Sequence, residues 1–512
     1  MTSINWRERA EQTDLRICNM INGKAIPVEP VYDSANVDDP GQVISKHAPG
    51  DGQLLYRLCV GSAEQVDTAV ANAREAYNDG RWSGLPLAQR QAVINKLADL
   101  VEEHAEQLAL YESLDVGKTI SKALNDDIAL IANYLRSAAN AASSFYSPSA
   151  ADQGVFAYLR HKPLGVVAGI TGWNFPLTLA ASKIGPALIM GNSIVVKPSE
   201  YTSLGTWHLA ELALEAGVPP GVFNVVNGAG HTVGDALARH PDINLLSFVG
   251  SSVTGKRLMV AAGESNMKRL ILECGGKSPY LVFDDCPDDL DFVAQDIVSK
   301  AFPNQGALCI AGTRLLIQES MREKLLPKIL DKTQQLEAGD PLDENTRFGA
   351  LINKQHLRKV LNYIEVGIRE GGELLCGGKQ LYPQGERDLS KGYYCAPTII
   401  DGVAADDTIA QEEIFGPVLA VQTFSHEEEA IAIANNSHFG LAAYAATTHT
   451  GRTQRLSDRL NAGLLFITGS DQSPCGGVSL PSDKHGQSGF GFSGGLNGLE
   501  TYAITTTVYL SS

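Results

Sequence analysis

Gly165-Val166-Val167-Ala168-Gly169-Ile170 and Ser193-Ile194-Val195-Val196-Lys197 are two apolar runs of strand length, and what joins them decides the fold. Leu177 to Met190, between them, is rich in Ala, Leu and Ile and long enough for a helix. Strand, helix and strand, all apolar, make a βαβ unit whose strands are covered on both faces. Working outward, a helix from about Ser203 to Ala216 precedes strands Val222 to Val226, Leu245 to Val249 and Arg269 to Glu273, with helices between. A second series starts after Gly275-Gly276: strand Tyr280 to Phe283, helix Leu290 to Ala301, strand Arg314 to Gln318 and helix Met321 to Leu336. It continues towards Ile431 to Asn435 and Leu441 to Ala446. Residues 60 to 140 read as mostly helical, with a long amphipathic pattern from Gln89 to Leu110. Thr501 to Leu510 alternates as a strand that suits pairing with another chain or a distant segment. The fold class is therefore α/β, with Rossmann-like parallel sheets and ligand loops at the carboxyl ends of the strands.

A chain of 512 residues exceeds one ordinary core, so two or three domains are expected. Its 58 acids against 41 bases leave a formal charge of −17, which excludes nucleic acid and anionic membrane as partners. The start, Met1 to Arg9, lacks the pattern of a signal peptide, and cytoplasmic residence is the default. The most apolar region, Pro163 to Val196, is interrupted by Asn174, Lys183 and Asn192 and reads as buried strands and a helix rather than a membrane span. None of the eight cysteines forms a CxxC pair, so neither a metal site nor a disulfide framework is expected.

Cys309 stands among small residues in Asn304-Gln305-Gly306-Ala307-Leu308-Cys309-Ile310-Ala311-Gly312, a stretch too irregular for a regular element. Upstream, Trp173-Asn174-Phe175-Pro176 offers an amide donor and Leu272-Glu273-Cys274-Gly275-Gly276-Lys277 a carboxylate. Thiol, amide and carboxylate are what covalent chemistry on a carbonyl requires. Taken singly, each has a plainer reading: a cysteine is often a small buried hydrophobe, and Glu273 is equally a capping acid satisfied by glycine N–H groups. Lys197-Pro198-Ser199-Glu200 closes a strand; the pair could hold an adenosine ribose, or form a solvated loop with an acid at a helix start. Gly228-Ala229-Gly230-His231-Thr232-Val233-Gly234 has GxGxxxG spacing, a weak phosphate motif. Phe248-Val249-Gly250-Ser251-Ser252 also leads from strand to helix and offers an anion site.

Together with Glu412-Glu413-Ile414-Phe415-Gly416-Pro417-Val418, these segments resemble the aldehyde dehydrogenase superfamily, in its order and spacing over nearly the whole chain. The run Ala262 to Arg269 and Cys309-Ile310-Ala311-Gly312 look most like bacterial dehydrogenases of γ-glutamyl-γ-aminobutyraldehyde and related amino-aldehydes. The resemblance implies a mechanism. The Cys309 thiolate attacks an aldehyde, Asn174 and the Cys309 N–H hold the oxyanion, hydride passes to NAD, and Glu273 activates the water that hydrolyses the thioester, with Lys183 beside them. A thiol of pKa about 8.5 needs an electropositive or base-assisted setting for this. It further implies that Thr171, Trp173, Lys197, Ser199, Glu200, Gly230, Gly234, Phe248, Gly250, Ser251, Glu413 and Phe415, with Glu273, form the NAD site. Phe175, Leu179, Ser182, Leu308, Ile310 and Cys475 would line the aldehyde tunnel. The implied domains are 1–140 with 163–275 for NAD, 276–495 for catalysis, and a β-arm of 141–162 with 496–512 through which subunits form a homodimer or homotetramer.

Departures from the family pattern bear on substrate. Ser182 stands where a bulky aromatic is common, and Cys475 replaces the aromatic of a Pro-Phe-Gly-Gly turn. About seven extra residues precede Ser488, and Phe492-Ser493 replaces an Arg-Glu pair. Lost aromatic volume suggests a tunnel for a bulky aryl or polar-tailed aldehyde; alternatively, the inserted loop folds back and refills the space. Rival functions are a family member that binds without turnover, and acyl transfer to coenzyme A.

Overall fold

The computed structural model of the protein describes residues 4–28, 43–145, 148–152, 155–469 and 480–511. One sheet runs, edge to edge, Lys24–Pro27, Cys18–Ile21, Phe223–Val225, Ser193–Lys197, Val166–Ile170, Leu245–Val249, Arg269–Glu273 and Gly489–Phe490. Its five inner strands, Phe223–Val225 to Arg269–Glu273, are parallel, and the flanking pairings are antiparallel. Every residue of Val166–Ile170, Ser193–Lys197 and Leu245–Val249 is buried, which is why these strands read as mostly apolar runs and not as alternating ones. From Val166–Ile170 the chain steps outward to Phe223–Val225, then returns to add Leu245–Val249 on the opposite side. Strand order reverses there, and the loops leaving the two central strands diverge to open a crevice.

The second sheet runs Glu373–Cys376, Thr398–Asp401, Val418–Phe424, Arg314–Gln318, Pro279–Val282, Ala442–Ala446 and Leu464–Thr468, parallel except at its first edge. A third, antiparallel, holds Ser149–Asp152, Val155–Pro163 and Ala503–Ser511, in register from Ala503 opposite Pro163 to Ser511 opposite Val155. The strand read from the tail therefore pairs within the same chain, with a segment over 300 residues away.

Pro176–Ile189 opens with proline, whose fixed φ and missing N–H suit a helix's first turn. It packs on Ile128–Ala142, which buries Ile128, Ile131, Ala132, Leu135, Ala138, Ala139 and Ala142 as one helical stripe. Gly185 permits the close approach, since a Cβ there would stand 3.2 Å from that of Ala138. The pattern expected from Gln89 to Leu110 is not one helix: the chain leaves helical geometry at His104, giving Leu87–Glu103 and Ala105–Val116. The second piece is buried without a break from Leu108 to Val116, so its apolar residues carry no one-sided period. Among the described residues no helix is long and apolar enough to cross a membrane.

Candidate active site

Three loops converge at the crevice. The first follows Val166–Ile170 and carries Asn174; the second is the end of Arg269–Glu273; the third is the irregular stretch before Arg314–Gln318 that holds Cys309. That third stretch is strained by design of its sequence: Asn304, Gln305 and Gly306 take φ of 48°, 56° and 75° in succession. Asparagine tolerates this left-handed region and glycine favours it, whereas glutamine does not. Bracing comes from outside. Asn304 Nδ2 donates to the main-chain oxygen of Asn174 at 2.9 Å, Tyr444 Oη donates to the Ile310 carbonyl at 2.8 Å, and the Gly312 N–H donates to the Lys300 carbonyl at 2.9 Å. A Cβ at Gly276 would lie 2.5 Å from the Cys309 oxygen, so the end of the Glu273 segment passes hard against the thiol's own backbone.

Asn174 is buried, and its Nδ2 donates to the Ala307 carbonyl at 3.0 Å, two residues before the thiol. An amide nitrogen has two hydrogens, so one remains for another acceptor. The Cys309 thiol is only partly buried, but burial, then the charges of Glu413 and Glu273, push it up to about 12, with the N–H groups of Ile310 and Cys309 offsetting little. The charges acting on it are therefore carboxylates. Of the two settings that would activate such a thiol, the base-assisted one fits this structure and the electropositive one does not.

Glu273 Oε1 accepts a short hydrogen bond from Ser493 Oγ and lies 4.0 Å from Lys183 Nζ and 3.8 Å from Lys484 Nζ. Burial alone would raise this carboxyl, but Lys183, Lys484 and the Ser493 hydroxyl outweigh it and hold the group below its usual range. Lys183 is buried on Pro176–Ile189, and desolvation pulls it below the ordinary lysine value despite Glu273. Lys484 and Ser493 are the partners that motif reading missed. Ser493 was visible only as a lost acid, and Lys484 is one cation in a polar insertion, with no local pattern to mark it.

Some of the implied NAD residues contact one another directly. Lys197 Nζ donates to the Pro198 carbonyl at 2.8 Å and to Glu200 Oε2 at 3.2 Å, and the Gly230 N–H donates to Glu200 Oε1 at 3.4 Å. Burial would raise Glu200, but the Lys197 charge and these donors bring it below its usual range. A Cβ at Gly230 would meet nothing nearer than Glu200 Oε1 at 4.0 Å, so the turn leaves open space beside the pair. The buried Thr171 hydroxyl lacks a hydrogen-bond partner among the described residues. Ser199 Oγ accepts from the Tyr201 N–H at 3.3 Å, and Ser251 Oγ caps Ser252–Glu264 by accepting from the Thr254 N–H at 3.2 Å. The Phe248 ring lies in the core against Gly250, where a Cβ would meet it at 2.5 Å, so the Phe248 side chain packs inward. Gly234 sits against the Lys197 stem, where its Cβ would stand 3.8 Å away. Trp173 meets Phe415 and His356 edge-on, at 5.1 and 5.2 Å. Phe415 has φ of 61°, held by the His356 ring nitrogen 2.7 Å from its carbonyl oxygen. Glu413 is folded onto the chain, accepting from the Gly276 N–H at 3.1 Å, and burial lifts its carboxyl.

The expected tunnel residues divide between two cavities. Leu179 and Ser182 line one of about 110 Å³ together with Glu273, Lys183, Tyr134 and Ser493. Phe175 lines another of about 350 Å³ with Leu130, Phe302 and Asn304, and Lys118 Nζ sits 4.1 Å over its ring. Leu308 and Ile310 flank the thiol, both partly buried, and Cys475 lies outside the described residues. The described end of the insertion does fold back, but onto residues 491–493 and not across Ser182: Ser482 and Ser493 exchange two backbone hydrogen bonds, of 2.9 and 3.0 Å.

The aldehyde dehydrogenase family profile matches residues 36–508. The NADP/NAD-dependent aldehyde dehydrogenase PuuC of Escherichia coli is 42% identical over 507 residues, covering 99% of this chain and 98% of its own. Aminoacetaldehyde dehydrogenase of Pseudomonas aeruginosa is 41% identical over 452 residues, 88% of each chain. A mutant of the Pseudomonas syringae indole-3-acetaldehyde dehydrogenase AldA, solved with NAD+ and IAA, superposes with a TM-score of 0.92 at 40% identity over 99% of both chains.

Proposed function

This chain belongs to the aldehyde dehydrogenase family, and from that membership and the site just described we propose that it oxidises an aldehyde to a carboxylate with NAD, through a covalent intermediate on Cys309. The observation that carries the reading is the Asn174 Nδ2–Ala307 O bond of 3.0 Å, which brings an amide donor to the backbone beside the thiol, on a loop that also meets the Glu273 strand end.

The Cys309 sulfur attacks the aldehyde carbon and its proton leaves through a base, because the thiol is pushed up to about 12 and is not ionised at rest. The oxyanion so formed takes the second Asn174 N–H and the Cys309 N–H as donors. When bound, NAD supplies the two-electron acceptor that turns the adduct into a thioester, with NADH as co-product. Glu273, held ionised, then takes a proton from water as that water attacks the acyl carbon, and the carboxylate departs with the thiol restored. The unpartnered Thr171 hydroxyl and the open turn at Gly230 beside Lys197 and Glu200 fit a dinucleotide. Lys197, Ser199 and Glu200 would hold the adenosine ribose; Gly230, Gly234, Gly250 and Ser251 the pyrophosphate; Trp173, Glu413 and Phe415 the nicotinamide end. The Glu200 carboxylate disfavours a 2′-phosphate, which supports NAD over NADP.

A bulky aryl- or amino-aldehyde is the proposed substrate, supported by the cavity that Ser182 leaves open. Residues 1–140 and 163–275 are read as the NAD domain, 276–495 as catalytic, and 141–162 with 496–512 as an arm that joins a homodimer or homotetramer. Exposed Val155, Phe156, Ile504, Tyr509 and Leu510 on that arm support the last point. The test is an aldehyde panel run with NAD and with NADP, using Cys309→Ala as the blank. NADH from the parent and none from the variant is expected; equal rates would remove Cys309 from the reaction.

A further inference from the structure

We propose that Lys484, contributed by the extra residues before Ser488, is a positioning residue for Glu273: with Ser493 it fixes the carboxylate in one orientation and sets a buried positive charge beside it. The inference rests on the reading of Glu273 as the base for thioester hydrolysis.

The geometry is a directed chain. Lys484 Nζ donates to the Gly491 carbonyl at 2.7 Å and to Ser493 Oγ at 2.6 Å, and lies 3.8 Å from Glu273 Oε1. An ammonium can only donate and a carboxylate can only accept, so the single hydroxyl proton of Ser493 must point at Glu273. Polarity thus runs one way, from Lys484 through Ser493 to Glu273, and leaves the serine no alternative rotor. The Lys484 side chain is only 3% exposed, and Glu273 is its ion-pair partner among the described residues. A cation so placed is costly unless paired, so the pairing is what retains it.

The backbone around it is equally constrained. His485–Gly486 pairs with Phe439–Gly440, the Cys274 N–H donates to the Ser488 carbonyl at 2.9 Å, and Ser488 Oγ donates to the Gly275 carbonyl at 2.7 Å. Gly489, at φ 107°, passes so close that a Cβ would stand 2.0 Å from the Leu272 oxygen. The insertion is therefore stitched to the very strand end that carries Glu273, and Lys484 cannot drift from it.

Other groups facing the carboxylate are Lys183 from Pro176–Ile189, Tyr134 from Ile128–Ala142, Tyr502 from the segment before the terminal strand, and the Cys274 and Cys309 thiols. Only the two lysines are cations. Burial pulls Lys183 below its usual range, and of the two lysines Lys484 lies nearer to Glu273 Oε1, at 3.8 Å against 4.0 Å. The sign follows: a carboxylate held low stays ionised, and able to take a proton, to lower pH than an ordinary glutamate. Removing Lys484 raises it, so the loss of rate is greatest in acid and fades as pH rises.

The test uses the full chain with NAD and phenylacetaldehyde, following NADH in the first turnover and, by intact-protein mass, the decay of the acyl-enzyme across pH 5 to 9 (an order-of-magnitude working range about the carboxylate and neutral region). Lys484→Met should keep first-turnover NADH, slow acyl-enzyme decay about tenfold at acid pH and move the acid limb upward, while Lys484→Arg restores it. Ser493→Ala should move the limb the same way by less, and it carries the test if Lys484→Met does not fold. Acid limbs in these variants that superpose on the parent overturn the proposal, as does an equal loss at every pH. Glu273→Gln run in parallel separates the two readings. Unchanged decay there sinks Glu273 as the base, whereas slowed decay with an unmoved Lys484→Met limb sinks Lys484 alone.

Discussion

Replacing Asn174 with alanine would separate what its side chain does for the loop from what it does for the reaction. In the resting protein Nδ2 holds the Ala307 carbonyl at 3.0 Å, and Asn304 Nδ2 reaches the same oxygen at 3.3 Å. The alanine variant keeps that second donor, and it keeps the Asn174 main-chain oxygen that Asn304 holds at 2.9 Å. Loss of one neutral hydrogen bond with the acceptor still paired costs about 1 kcal/mol of stability. The other N–H has no such substitute: a lost oxyanion donor costs about 3–4 kcal/mol in the transition state, roughly a hundred- to a thousandfold in rate. The two effects are read separately, the first by urea unfolding and the second by NADH formed in a single turnover. Asn174→Asp provides the isosteric comparison, with the donor gone and a negative charge facing the oxyanion, and must be at least as slow as the alanine variant. A fall of less than about tenfold in Asn174→Ala, with unfolding little changed, would refute the assignment of Asn174 as oxyanion donor.

Ser182→Phe should fill the cavity of about 110 Å³ beside Leu179 and Tyr134 and lower kcat/KM for aryl aldehydes relative to short aliphatic ones; an unchanged ratio across the panel argues against the cavity as part of the tunnel. Gly306→Ala places a Cβ 2.2 Å from the Gly416 oxygen at φ 75°, so it should destabilise the chain by about 1–3 kcal/mol and abolish first-turnover NADH, measured by urea melt and rapid mixing. Because burial and two carboxylates push the Cys309 thiol up to about 12, its alkylation by iodoacetamide in the free enzyme should rise about tenfold per pH unit from pH 7 to 9; peptide mapping that finds a plateau near pH 8 refutes this. Glu200→Gln should improve use of NADP relative to NAD by removing the charge that faces a 2′-phosphate, read as the ratio of the two kcat/KM values.

Legibility in the sequence followed the range of the interactions concerned. Strands Ser193–Lys197, Leu245–Val249, Arg269–Glu273 and Arg314–Gln318 were readable to the residue because a strand in the interior of a covered sheet writes itself as a short, mostly apolar run of strand length between helical stretches. The break at His104 was not, because the second helix is buried without a break from Leu108 to Val116 and its sequence carries no phase there to contradict a continuous helix. At the site, Asn174, Glu273 and Cys309 stood out because each sits in a short motif whose neighbours serve the same loop. The partition of Phe175 and Ser182 into different cavities was invisible, since residues seven apart on one helix entry carry no record of which wall each meets.

Position 493 shows why single-position reading misleads most where electrostatics decide. A serine in place of an acid looks like the loss of a charged group. In three dimensions the serine still bonds Glu273, and a lysine nine residues earlier stands behind it. Acid and cation beside a base have opposite effects: a second carboxylate raises its neighbour, whereas an ammonium lowers it. Lys484 therefore exchanges basicity for constancy. A base held below the ordinary glutamate value pulls more weakly on a proton, by Brønsted behaviour, but it is ionised over a wider range of pH. That balance suits hydrolysis of a thioester, an acyl group that water attacks readily, better than extraction of a proton from a thiol pushed up to about 12. Thioester hydrolysis is thus the step that this arrangement assists, and acylation, in which the thiol proton must leave, is the step it assists least.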